Sequence, residues 1–132
     1  MWQCQKCNRF FKHQNQSHMC STKTIDDLLA NKPEGMVLAF DHLLLAAIDW
    51  EPCTVGASTK SIIFTKEKAW LIVKPMKKEL DLKFYYPSEI QHLLIHKRAL
   101  YGNKYAHHIR ISHESQVTED LIALLRKAWE SS

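Results

Sequence analysis

The sequence predicts an α+β chain: a Cys- and His-rich unit over residues 1–22, then a domain over residues 23–132 whose antiparallel sheet of about four strands carries helices packed on one face. Three observations predict it. Three of the four Cys fall in the first 20 residues, where Trp2, Phe10, Phe11 and Met19 are the large apolar groups. In the middle of the chain apolar and charged residues alternate, as in Leu80-Asp81-Leu82-Lys83-Phe84, which is the period of a half-exposed strand. Stripes at helical spacing flank that middle: Val37, Phe40, Leu44 and Ile48 before it, and Leu121, Leu124, Leu125, Ala128 and Trp129 after it.

Each element follows in order. Thr24 is placed to cap a short helix, with Asp27 three residues on, and Asn31-Lys32-Pro33 stops it. Pro33-Glu34 opens the first long helix, which Glu51-Pro52 ends. Thr54-Val55, Ser61 to Thr65, Ala69 to Val73 and Leu80 to Tyr85 read as strands joined by short polar connections, so the sheet is expected to be antiparallel. Ile90 to Leu94 reads as a short helix, Tyr101-Gly102-Asn103-Lys104 as a turn and Tyr105 to Ile111 as a strand. Thr118-Glu119-Asp120 starts the last helix.

Bulk composition narrows the class without naming an activity. With 132 residues the chain fits one domain plus a small appendage, and only 3 Gly and 4 Pro exclude collagen-like and low-complexity readings. The formal charge of +4 permits a polyanionic partner without demanding one. That charge is uneven: residues 33–59 are acidic, while residues 60–86 hold seven Lys against three acids. The longest apolar run, Leu43 to Ile48, is too short to span a bilayer, and no secretory leader is evident. Cys placed in a Cys-x-x-Cys pattern points to a reducing compartment, so a cytoplasmic protein is expected.

The N-terminal unit carries the sharpest chemistry. Cys4-x-x-Cys7 is followed by ten residues and then His18-x-Cys20. Zinc takes four N or S ligands in a tetrahedron, and both short spacings let paired side chains face one ion. So small a segment has too little apolar surface to fold on its own core. A structural Zn²⁺ contributes about 10–16 kcal/mol of apparent binding free energy, enough to order it. Cys4, Cys7, His18 and Cys20 are the expected ligands, with His13 the rival for the histidine position. Four protein ligands close the shell, so the expected metal is structural.

The string Trp2-x-Cys4-x-x-Cys7-x-Arg9-x-Phe11, then Gln16-x-His18-x-Cys20, resembles a short bacterial zinc finger that precedes uncharacterised proteins. Gln5 and Asn8 stand where that finger more often has Pro and Gly. From about Lys23 onward the chain resembles the bacterial domain of unknown function 5655 family. The resemblance rests on Lys60 to Phe64, Ala69 to Pro75, Leu80 to Phe84, His107 or His108 before a strand, and the ending Val117 to Glu130. It implies strands followed by a terminal helix, and it carries no catalytic residues. Related domains serve as C-terminal modules of larger bacterial proteins, some of them restriction-type nucleases, which implies a nucleic-acid setting.

Outside the finger the best surface candidate is basic and aromatic: Lys74, Lys77, Lys78 and Lys83 with Tyr85 and Tyr86 nearby, joined by Arg9 beside the zinc. Lysines neutralise phosphates and aromatic rings stack on bases. On the Leu80/Leu82/Phe84 alternation, Asp81, Lys83 and Tyr85 face away from the core. A solvated face with edge lysines that block aggregation is the plainer reading. His108 and Arg110 share the strand face opposite Ile109 and Ile111 and are the candidate pocket for a small anionic ligand. His92 and His96 would share a helical face with Glu89 near, a weak second metal site. Cys53 is expected to be a structural thiol. No Gly-rich phosphate loop, nucleophile elbow or HExxH occurs, so a non-catalytic binding module is expected. Its favoured partner is nucleic acid, and the alternative is a protein-interaction or small-ligand module centred on His108 and Arg110.

Overall fold

The computed structural model describes residues 2, 3, 10, 11 and 24–132. Near the N-terminus, β1 (Trp2–Gln3) pairs antiparallel with β2 (Phe10–Phe11). Cys4, Cys7, Arg9, His13, His18 and Cys20 lie outside the described residues.

Two helices come next. α1 (Ile25–Leu29) begins as its sequence requires: the Thr24 side chain accepts from the Asp27 N–H at 3.1 Å, and the Asp27 carboxylate accepts from the Thr24 N–H at 2.9 Å. α2 (Glu34–Ala47) buries Met36, Ala39, Phe40, Leu43 and Ala47 along one stripe. Its first turn passes close to the chain after the last strand. A Cβ on Gly35 would stand 3.1 Å from the Ser112 carbonyl, so glycine allows that approach.

Six strands build one sheet: β3 (Thr54–Ala57), β4 (Ile62–Thr65), β5 (Ala69–Pro75), β6 (Leu80–Tyr86), β7 (Lys97–Tyr101) and β8 (Lys104–Ile111). Their order is β3-β4-β5-β6-β8-β7, and every neighbouring pair is antiparallel. The chain runs as a meander to β6, crosses to the far edge as β7 and returns between them as β8. The β7–β8 hairpin turns on Gly102-Asn103. Gly102 has φ +60°, the positive value that a II′ turn needs at its first central position.

Two of these strands correct the sequence reading. The expected sheet of about four strands has six, and Ile90 to Leu94 is not helical. β7 escaped detection because four of its five residues are exposed, so no apolar period marks it. The segment between β6 and β7 is held by single contacts instead of helical bonds. The Ile90 N–H donates to His107 Nε2 at 2.9 Å, and the Ile90 carbonyl accepts from Arg98 Nε at 2.6 Å.

α3 (Glu119–Ser131) closes the fold. Thr118 caps it by accepting from the Leu121 N–H at 3.2 Å, and Leu121, Leu124, Leu125, Ala128 and Trp129 are buried. The helices cover one face of the sheet, the one that carries Ile62, Phe64, Leu71, Val73, Leu80, Leu82, Phe84, Ile109 and Ile111. Phe40 of α2 meets Phe64 edge-on at 6.2 Å. Trp50 links the layers, 5.9 Å from Trp70 and 6.1 Å from Trp129. Trp70 joins this core through a bulge: Phe64 pairs with Leu71 and Thr65 with Ala69, so Trp70 is the extra residue and is buried together with its neighbour Leu71. No described helix is long and apolar enough to cross a membrane.

Candidate functional site

With the helices on one side, the other face of the sheet displays its own side chains. Direct cross-strand partners share a face, so the register gives the layout. One row runs Ile72, Lys83, His108, Lys97 across β5, β6, β8 and β7. The next runs Lys74, Asp81, Arg110. On the other side of the first row lie Tyr85, Ala106 and Ala99, and beyond them Lys104 opposite Tyr101. Five cationic side chains therefore stand on this face, against the carboxylates of Asp81 and Glu79.

The aromatic groups there are arranged by a small residue. Ala106 lies directly between Tyr85 and Ala99 and is buried. A methyl side chain leaves room above it, and Tyr85 and Tyr101 approach to 5.5 Å between ring centroids, with Tyr101 66% exposed. The Lys83 ammonium sits 5.6 Å from the Tyr85 ring, a cation–π distance.

The polar centre is tighter. Asp81 is buried although it faces away from the core, because His108 and Arg110 fold over it. His108 Nδ1 lies 2.9 Å from Asp81 Oδ2, and Arg110 Nε donates to Asp81 Oδ1 at 3.2 Å. Arg110 also donates to Glu79 at 3.0 Å. Glu79, and then Asp81, hold the Arg110 guanidinium even more firmly protonated than usual.

The structure thus brings together Lys74, Lys83, His108 and Arg110, which the sequence placed in two separate proposals. Lys77 and Lys78 are exposed in the turn between β5 and β6, at one end of the same face. Tyr101, Lys97 and Lys104 were missed. The cue for Tyr101 and Lys104 was the Gly102-Asn103 turn itself, since two strands flanking a two-residue turn must pair.

The neighbouring histidine has the opposite character. His107 is completely buried on the helix-covered face, stacked on Phe84 at 5.1 Å and 13°. Its Nε2 accepts from Ile90, while Nδ1 finds no partner in hydrogen-bond geometry. Burial pushes its pKa down, and the nearby Arg98 cation pushes the same way.

The remaining sequence candidates separate. His92 Nδ1 accepts from the Leu94 N–H at 3.1 Å, and the His96 N–H donates to the His108 carbonyl at 2.7 Å, so no helical turn aligns the two rings. No group of three metal-binding side chains occurs among the described residues. Burial pushes the Cys53 thiol up, with the Trp70 indole beside it pulling the other way, which is the state of an unreactive thiol. His107, His108 and His113, the bases a reactive Cys53 would need, are held by Ile90, Asp81 and Ser115.

Two grooves lie on the helical side. One of about 580 Å³ between α1 and α2 is lined by Leu29, Val37, Phe40 and Leu44, with Asp26 and Asp41 as its charges. One of about 460 Å³ between α2 and α3 includes His42, Trp50, Ile122 and Arg126. Neither includes His108 or Arg110, which stand on a sheet surface.

Comparison with known proteins is sparse. No curated protein and no solved structure matches the chain. A family model described as a domain of unknown function, DUF5655, matches residues 25–132, which takes in every element from α1 to α3. A match over well more than half of the sequence assigns the family, and the chain belongs to the DUF5655 family.

Proposed function

We propose that the open face of the sheet binds single-stranded nucleic acid and that the protein is a binding module. The observation that carries this reading is one surface: the Lys83-His108-Lys97 row beside the Tyr85–Tyr101 pair. Lysines neutralise phosphates along a strand, and exposed rings give unpaired bases a stacking platform that is indifferent to sequence. Lys77 and Lys78, in the turn between β5 and β6, add to the basic path beyond Lys74, and Arg9, outside the described residues, is proposed as a further phosphate contact.

Fluorescence anisotropy of labelled single- and double-stranded DNA and RNA, at two salt concentrations, tests the reading. The expected result is binding that weakens steeply with salt and favours single strands. Lys74→Glu combined with Lys83→Glu is expected to lower affinity by about 10- to 100-fold and to reduce the salt slope by about two. Absence of binding at low salt, or an unchanged affinity in the double variant, overturns it.

The N-terminal unit is proposed to hold one structural Zn²⁺ through Cys4, Cys7, His18 and Cys20. The donor set supports this, since three thiolates and one imidazole form a closed tetrahedral shell. The connection between the paired strands β1 and β2 contains Cys4 and Cys7. Elemental analysis of the purified chain is expected to find one zinc per molecule. His18→Ala should weaken zinc retention against a chelator while His13→Ala should not, and the reverse outcome would make His13 the ligand.

A further inference from the structure

We infer that His108, oriented by Asp81, is an acid–base centre that cleaves RNA through the RNA's own 2′-hydroxyl group. The inference rests on the nucleic-acid reading of this face and adds an activity to it.

The geometry has two parts. A carboxylate only accepts hydrogen bonds, so Asp81 Oδ2 at 2.9 Å from Nδ1 places the ring proton there. In the neutral ring the lone pair is then on Nε2, which makes no hydrogen bond among the described residues. The ring is 21% exposed, and Arg110 fixes the other carboxylate oxygen, so the imidazole is both oriented and reachable. The second part is the row itself. Lys83 and Lys97 are the direct cross-strand partners of His108, so the register sets one lysine on either side of it on one surface. Cross-strand pairing alone would explain an Asp81–Arg110 contact. It does not require a histidine on the same carboxylate with lysines at both neighbouring strand positions.

The step balances without a co-reactant. Nε2 of His108 takes the proton of a ribose 2′-hydroxyl, O2′ forms a bond to the adjacent phosphorus, and the bond from phosphorus to O5′ breaks. The leaving O5′ takes a proton from the Lys97 ammonium, and Lys83 holds the phosphoryl oxygens. One product ends in a 2′,3′-cyclic phosphate and the other in a 5′-hydroxyl. A proton passes through water from the imidazolium to the Lys97 amine, which restores both groups. Asp81 acts as a positioning residue.

The test uses the full chain with a labelled single-stranded RNA, the same sequence as DNA, and the RNA with 2′-O-methyl groups. Cyclic-phosphate ends are expected from the unmodified RNA alone. His108→Gln is expected to slow cleavage by about 100-fold or more, a loss far larger than any accompanying change in RNA affinity. Asp81→Asn should lower kcat without raising KM, and Asp81→Glu should restore part of it. Thermal melts confirm that each variant is folded, and the partly exposed His108 ring makes His108→Gln the safer of the two. RNA binding without cleavage, or cleavage that persists in His108→Gln, overturns the activity and leaves the binding surface standing. Failure to bind either DNA or RNA removes the reading on which it rests.

Discussion

Trp70→Ala is expected to cost about 3–5 kcal/mol, a large share of a small domain's stability. Trp70 is fully buried and is the bulged residue of β5, so its indole enters the core where a regular strand would have turned it outward. It packs against Trp50 at 5.9 Å and Phe64 at 5.9 Å, and Phe64 in turn meets Phe40 of α2. Removing the indole therefore opens a cavity where strand β5, the α2 helix and the segment after it converge. Relaxation into that cavity is limited, because Trp50 is also held against Trp129 and under the Arg126 guanidinium. Urea unfolding followed by circular dichroism measures the loss. Trp70→Phe should recover part of it, and a loss below about 1 kcal/mol for the alanine variant would show that the bulge does not organise the core.

Acidification is expected to destabilise the fold through His107. The folded imidazole has its pKa pushed down, by burial first and by Arg98 in addition, while the Phe84 and Tyr105 carbonyls and Glu89 only partly oppose the shift. The unfolded chain therefore binds the proton more readily than the folded one. Stability from this site is complete above the ordinary imidazole value of about 6.5 and is lost as pH falls below it, until the folded value is passed. Within that window the slope approaches about 1.4 kcal/mol per pH unit. The structural consequence is local at first. A protonated Nε2 can no longer accept from the Ile90 N–H, so the segment between β6 and β7 loses one of its anchors. His107→Gln should flatten the pH dependence between pH 7.5 and 5, since a glutamine oxygen can accept from Ile90 without titrating. Urea midpoints across that range provide the measurement, and an equal slope in the variant would place the pH sensitivity elsewhere.

The two histidines of β8 show how the site divides between sequence and structure. Alternation alone put His107 with Ile109 and Ile111 and put His108 with Arg110 on the other face, and the fold has them so. The same alternation turned Asp81, Lys83 and Tyr85 away from the core. The Thr24 and Thr118 caps and the strands from Ile62 to Tyr86 were readable for the same reason: each depends on neighbours within a few residues. The partnership of His108 with Asp81 was not readable. It spans 27 residues and arises only because β8, besides forming a hairpin with β7, returns beside β6.

By itself, then, the sequence determined the α+β class, the polarity of the two sheet faces and the Cys/His pattern of the N-terminal unit, all through periodicity, capping and spacing. Tertiary structure decided the six-stranded order, the edge strand β7 and the exposed Tyr85–Tyr101 pair over Ala106. It also decided the burial of Asp81. An exposed edge strand has no buried side to imprint a pattern, and a cross-strand cluster draws its members from segments whose pairing is chosen by the packing of the whole sheet.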